Sequence, residues 1–370
     1  MNYSILLHRS IYKAYPIVKR CFLRVLADAM NPYSWVMAAR NKAFDAGVLK
    51  SRESGIPTIC VGNISVGGTG KTPHIEYLIR LLENKYDIAV LSRGYGRKSK
   101  GYIRACAQST MEQIGDEPFQ MKEKFKEIDV AVCEKRVKGI ESLVADNGSL
   151  QVILLDDAFQ HRYAKAGLNI LLIDSNRPVW RDNVMPFGRL RETPSGIKRA
   201  DIVIMTKCKG MTGEQKEECR RYIKAIKEIP VYFSTICYGK PYHLFGSKQA
   251  DTEIGKESSV LLITGIANPQ PLKAEIERLG ARTELMQYGD HHIFSTAELD
   301  DIAGHFSKNR HTMIVTTEKD ATRITQRKDL PQIVRDNIYA LPIEVRFMDG
   351  EEKLFNENIY DYVTENSRNS

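Results

Sequence analysis

Ile59-Cys-Val61, then Ser65-Val-Gly-Gly-Thr-Gly-Lys-Thr72, then Pro73-His-Ile-Glu-Tyr-Leu-Ile-Arg-Leu-Leu82: an apolar run, a glycine loop and a helical pattern follow one another. Strand, loop and helix in that order are what a phosphate-cradling P-loop needs. Without Cβ atoms at Gly67, Gly68 and Gly70, backbone N–H groups can converge on phosphate oxygens. The helix that follows turns its positive dipole end toward them. Lys71 is placed to reach β- and γ-phosphates, and Thr72 to offer a hydroxyl to Mg²⁺. The usual pattern begins with glycine, and Ser65 stands there instead. Ser65, Val66, Gly67, Gly68, Thr69, Gly70, Lys71 and Thr72 are therefore the expected nucleotide loop.

A chain of 370 residues has room for two domains. Its seven cysteines are scattered and form no Cys-x-x-Cys, which argues against a disulfide framework or zinc site. Cys60 and Cys133 sit in apolar runs as small core residues. The formal charge is +8, but residues 1–52 hold nine Lys/Arg against two Asp, a net of +7. A nucleic-acid binder would spread its basic residues differently, so no nucleic-acid partner is expected. Drawn as a helix, residues 9–29 place Arg9, Lys13, Arg20 and Arg24 on one stripe. Ile11, Val18, Phe22, Val25, Leu26 and Ala29 fall opposite, and Pro16 kinks or divides the helix. The segment has no 18-residue apolar run and no signal-peptide layout. A basic helix with an apolar back suits the headgroup zone of an anionic membrane, and equally a surface helix packed on its own domain.

Continuous apolar runs at 88–91, 130–133, 152–155, 170–173 and 202–205 predict strands buried on both faces of a parallel sheet. A second alternating set starts at 260–264 and continues through 312–316 to 338–341. The expected class is α/β: a P-loop NTPase-like three-layer α/β/α domain with a second, smaller α/β domain and an N-terminal membrane-associating helix. The expected divisions are a basic membrane-associating segment at 1–50, the P-loop domain at 51–235, an extended linker at 236–259, the smaller domain at 260–355 and a polar, fraying tail at 356–370.

The run ending in Asp156-Asp157 has the Walker B form, in which a strand-terminal carboxylate helps hold Mg²⁺. Neighbouring strand residues point to opposite faces, so at most one faces the metal squarely unless the strand has already ended. Guanine recognition is absent: Thr206-Lys-Cys-Lys209 stands where Asn-Lys-x-Asp is usual, and Phe159 where a switch glycine is required. Adenine is the expected base. Gly115-Asp-Glu-Pro118 offers two carboxylates at a helix start, for proton abstraction or metal support, and reads equally as dipole-friendly acids. Asp290-His-His292 is by itself an ordinary pair. The basic loops Arg93-Gly-Tyr-Gly-Arg97, Lys135-Arg136, His161-Arg162 and Arg189-Leu-Arg-Glu192 suit an anionic substrate at the carboxyl ends of parallel strands.

Taken in order, Val61-Gly-Asn63 with the glycine loop, Ser92-Arg-Gly-Tyr-Gly96, Gly115-Asp-Glu-Pro118, Asp156-Asp-Ala-Phe-Gln-His161, Gly188-Arg-Leu-Arg-Glu192, Asp290-His-His292 and Thr317-Glu-Lys-Asp-Ala321 resemble the tetraacyldisaccharide 4′-kinases, the lipid A 4′-kinases of Gram-negative bacteria. The resemblance runs from about residue 31 to about residue 342. It implies transfer of the γ-phosphoryl group of ATP to the 4′-hydroxyl of a tetraacylated disaccharide 1-phosphate, with Mg²⁺, by a monomer at the cytoplasmic face of the inner membrane. It implies that Lys71 holds the phosphates, that Asp116 is the general base and that His291 pairs with it. Thr72, Glu117, Asp156 and Asp157 would serve the metal. Arg93, Tyr95, Arg136, His161 and Glu192 would line the nucleotide or lipid-sugar site, in a cleft between the two domains. Ala158 departs from the glycine usual in the Asp-Asp-Gly-Phe-Gln-His motif. Two other classes share parts of this pattern. A membrane-associated regulatory P-loop ATPase would have no use for an Asp116–His291 pair, and a soluble small-metabolite kinase no use for a basic N-terminus.

Overall fold

The structure is a computed structural model and describes residues 31–246, 253–290 and 292–367. The chain divides into two compact units. The first holds residues up to 93, then 133–235 and 347–370; the second holds 94–132 and 236–346. This differs from the sequential division expected above, because residues 94–132 leave the P-loop unit and return to it only at 133. The helix expected over 9–29 lies outside the described residues.

The first unit is built on six parallel strands in the order Val231–Tyr238, Ile202–Thr206, Leu168–Asp174, Thr58–Gly62, Val152–Asp156 and Ile88–Ser92. The P-loop strand Thr58–Gly62 lies mid-sheet, and all five of its residues are buried. The same holds for Val152–Asp156 and Ile88–Ser92. Each aliphatic side chain so buried contributes roughly 1.5–3 kcal/mol, which fixes where the strand ends project their loops. Cys60 and Cys133 are buried within this core.

The tail expected to fray from residue 356 is instead helical through Asn366: Glu352–Asn366 buries Phe355, Ile359 and Val363. A four-residue spacing puts these three on one stripe. Tyr362 donates its hydroxyl to the Thr58 carbonyl at 3.1 Å and Tyr360 donates to the Leu81 carbonyl at 2.7 Å. Three apolar residues in a polar stretch are a weak sequence signal, but they suffice where a packed surface awaits them.

The second unit has a sheet ordered Tyr242–His243, Ile338–Leu341, Met313–Thr317, Ser259–Thr264 and Arg282–Gln287. All neighbours are parallel except the first pair. The strand Arg282–Gln287 was not foreseen, because four of its six residues are polar and none is fully buried at this sheet edge. The run at 130–133 forms the strand Asp129–Val132, which pairs antiparallel with Ile103–Arg104.

His74, in the first turn of the P-loop helix Lys71–Leu82, ties the loop to the sheet. Its Nδ1 lies 2.7 Å from the Gly70 carbonyl and its Nε2 3.0 Å from the Ser234 hydroxyl. A carbonyl only accepts, so Nδ1 carries the proton and Nε2 accepts from Ser234. Burial drives the His74 pKa down to about 4. The unfolded chain therefore binds a proton that the folded chain refuses between pH ~6.5 and ~4. The folded state is favoured above this window and loses roughly 3 kcal/mol as pH falls through it. The urea midpoint is expected to fall more steeply from pH 7 to 4.5 in the native protein than in His74→Gln. Parallel slopes would refute this role.

Candidate active site

The nucleotide loop begins where strand Thr58–Gly62 ends. Gly67 has φ +108° and Gly70 has φ +88°, both in the left-handed region where a side chain is strained. Gly70 is the N-cap of the P-loop helix and supplies no side-chain cap, so the first helical N–H groups face outward for an anion. Ser65 is not among the positive-φ residues. It makes an antiparallel bridge to Leu190, an extended role that glycine is not needed for. The loop is held from two sides. Asn63 Nδ2 donates to Thr69 Oγ1 at 2.7 Å, and the Val66 N–H donates to the Arg189 carbonyl at 2.7 Å.

Lys71 Nζ lies 3.7 Å from Asp157 Oδ2, and Arg191 Nη1 donates to both Asp157 oxygens at 2.9 and 3.1 Å. Burial pushes the Asp157 carboxyl upward in pKa, but Lys71 and then Arg191 outweigh it and hold the group ionised. The strand stops at Asp156, and Asp157 has φ +47°. The question of which carboxylate turns toward Lys71 is thus answered by backbone: Asp157 does. Asp156 is buried and accepts the Ser92 hydroxyl at 3.0 Å. Ala158 is not in the left-handed region, so replacing the usual glycine carries no φ strain there. Thr72 is half-buried in the first helical turn.

Several expected substrate residues turn out to shape the loops. Arg136 is 2% exposed, and its guanidinium donates to the carbonyls of Cys133 at 2.5 Å and Asp156 at 3.1 Å. It clamps two strand ends and does not face solvent. Glu192 is 3% exposed and accepts from Arg199 at 2.7 Å, Gln160 at 2.9 Å and Asn41 at 3.2 Å. Gln160 also donates to the Asn63 carbonyl at 2.8 Å, joining the P-loop to the Asp-Asp-Ala-Phe-Gln-His turn. Arg93 is exposed. His161 is half-buried, and burial with the nearby Arg136 and Arg93 lowers its pKa to about 4. It is a neutral imidazole at pH 7. Tyr95, in the second unit, is 83% exposed.

The second unit carries its own charged cluster. Asp116 opens the helix Asp116–Lys124 after Gly115, and its Oδ2 accepts from Arg323 at 2.5 Å. Arg323 Nη1 donates to Asp320 Oδ1 at 3.2 Å. Glu117 is half-buried in the same first turn. His291 lies outside the described residues. Its neighbour His292 holds Glu298 at 3.0 Å and stacks on Tyr288, and Asp290 lies 3.7 Å from Lys319.

The first unit therefore brings together Lys71, Asp157 and Arg191 at an uncapped helix start, with Asp156 behind them. The second brings together Asp116, Arg323 and Asp320. Arg191 and Arg323 were not foreseen as site residues. Arg191 lay within a noticed basic run, and the signal separating it from its neighbours is its pairing with Asp157. Arg323 follows Thr317-Glu-Lys-Asp-Ala321 by two residues, and only the fold reveals its partner. A fixed ammonium beside an anion-ready loop can bind polyphosphate. A helix-initial carboxylate held by guanidinium can take a hydroxyl proton.

Comparison with known proteins finds relatives over most of the chain. The family model "Tetraacyldisaccharide-1-P 4'-kinase" matches residues 22–363. A tetraacyldisaccharide 4′-kinase of Phocaeicola vulgatus is 46% identical over 352 residues, covering 92% of this chain and 96% of the relative. One from Bacteroides thetaiotaomicron is 44% identical, covering 92% and 94%. Among solved structures, LpxK from Aquifex aeolicus in complex with ATP superposes with a TM-score of 0.70 at 29% identity, covering 90% of this chain and 96% of that one.

Proposed function

Because this chain belongs to the tetraacyldisaccharide-1-P 4′-kinase family, we propose that it moves the γ-phosphoryl group of ATP to the 4′-hydroxyl of a lipid-linked disaccharide 1-phosphate. This is the kinase step of lipid A assembly. The observation that carries the reading in this chain is Lys71, set at an uncapped helix start and paired with the ionised Asp157 that Arg191 also holds.

Phosphoryl transfer needs positioning and charge neutralisation more than covalent help. The N–H groups behind Gly67 and Gly70 hold the phosphates, and Lys71 leaves Asp157 to follow the γ-phosphate. Asp116 accepts the sugar hydroxyl proton as the new oxygen–phosphorus bond forms. With an ordinary Asp pKa of ~3.9 in water, a carboxylate does this late in bond formation. No group of three or more His, Cys, Asp or Glu able to hold a metal is present among the described residues. Mg²⁺ binds through one or two carboxylates, substrate phosphates and water. The hard oxygens of Thr72, Asp156, Asp157 and Glu117 are the donors offered. When bound, Mg²⁺ neutralises the charge on the β- and γ-phosphate oxygens.

No helix among the described residues is long and apolar enough to cross a membrane. We place the enzyme, as a monomer, on the anionic cytoplasmic face of the inner membrane, where ATP and lipid meet. The basic charge of residues 1–52 supports this, as does the helix Pro32–Asp45, which leaves Trp35 58% and Val36 65% exposed.

The test is γ-³²P-ATP offered with the lipid disaccharide 1-phosphate in vesicles with and without anionic lipid. Labelled lipid is expected, with protein pelleting on the anionic vesicles. ATP hydrolysis without labelled lipid would show a regulatory ATPase instead. Labelling with no preference for anionic vesicles would remove the membrane assignment.

A further inference from the structure

We infer that Arg323 is a positioning residue for phosphoryl transfer, fixing the Asp116 carboxylate to a buried hub centred on Asp320. The inference rests on Asp116 being the base proposed above.

Asp320 is fully buried and saturated with donors. Its Oδ2 accepts from the Thr264 hydroxyl at 3.0 Å, the Gly265 N–H at 3.0 Å and the Thr317 hydroxyl at 2.7 Å. Its Oδ1 takes Nη1 of Arg323 at 3.2 Å. Thr317 is also the N-cap of the helix Glu318–Ile324 that carries both residues. One carboxylate thus joins a strand end, a helix start and a guanidinium. Arg323 is itself 4% exposed, and its other arm, Nη2, reaches Asp116.

The same hub meets the segment on either side of His291. A methyl group on Gly265 would come within 2.8 Å of the Gly289 carbonyl and 3.1 Å of both Asp320 Oδ1 and the His292 Cβ. Gly289, His292 and the Asp320 carboxylate thus all lie close to the Gly265 backbone.

Plain stapling does not explain the contact. The helices Asp116–Lys124 and Glu318–Ile324 are already tied at their other ends by Lys124 and Glu318 at 2.7 Å. Arg323 adds a planar fork with one arm on each carboxylate, a geometry that a lysine ammonium does not reproduce. A carboxylate misplaced by about 1 Å can lose on the order of 10²-fold in rate.

Arg323→Lys keeps a positive charge beside buried Asp320 and is expected to fold. It should lower kcat by about 10- to 10²-fold while KM for ATP stays within about twofold, because the nucleotide loop is untouched. The pair D320N/R323Q removes both buried charges together and is the second variant, should R323K unfold. Each is measured alone and in an Asp116→Ala background. If Arg323 acts through Asp116, its replacement adds no further loss once Asp116 is gone. Equal losses in both backgrounds, or native kcat in R323K and in the pair, would overturn the inference. Near-native turnover of Asp116→Ala itself would instead remove the base assignment.

Discussion

Asp116→Ala is expected to lower kcat by about 10²- to 10⁴-fold, the range for losing a general base, with KM for ATP nearly unchanged. The separation follows from architecture. Asp116 belongs to the second unit, whereas the loop at 65–72 belongs to the first. The carboxylate sits at the start of a helix against Arg323, so it is oriented before any substrate arrives. Asp116→Asn should be nearly as slow, because an amide keeps the shape but takes no proton. The check is steady-state phosphoryl transfer to the lipid acceptor together with nucleotide binding by a fluorescent ATP analogue. A variant that binds the analogue normally and turns over at near-native rate would falsify the assignment.

Lys71→Ala is expected to lose on the order of 10³-fold in kcat/KM, and to weaken nucleotide binding as well as turnover. Removing one oriented donor to developing charge costs about 10²–10³-fold, and Lys71 carries a full charge. Its loss also leaves Arg191 as the remaining close cation on Asp157, so the carboxylate would confront the γ-phosphate. The two variants should therefore differ in kind: Asp116→Ala acts on kcat alone, and Lys71→Ala on both parameters. A Lys71→Ala protein with native affinity for ATP would show that the loop N–H groups suffice. The assigned role of Lys71 would then be wrong.

Much of the fold is legible because its signals are local. A five-residue apolar run, glycines at positions of positive φ and a helix start are each written in consecutive residues. The strands Thr58–Gly62, Val152–Asp156 and Ile202–Thr206 fall where the apolar runs place them. The helix Glu352–Asn366 and the strand Arg282–Gln287 were not legible. The first offers only three apolar residues to a surface made by distant segments. The second is an edge strand with only Leu285 and Met286 apolar, and it hydrogen-bonds to the sheet on one side alone. The return of residues 94–132 to the second unit is likewise a matter of which surfaces pack, and no composition change marks it.

The site divides in the same way. Residue types and their spacing pointed to the phosphate loop and the paired aspartates, whereas Asp116 was singled out only by the family resemblance. Sequence alone could not say that Asp157 rather than Asp156 turns toward Lys71, which depends on a backbone φ of +47°. Nor could it say that Arg136 and Glu192 are buried with partners of their own while Arg191 holds Asp157 and Arg323 holds Asp116. A charged residue's role depends on what lies within about 4 Å of it and on how much water remains there. Those neighbours come from segments tens to hundreds of residues away, so only tertiary packing decides which charge is bound to its own protein and which is left to meet a substrate.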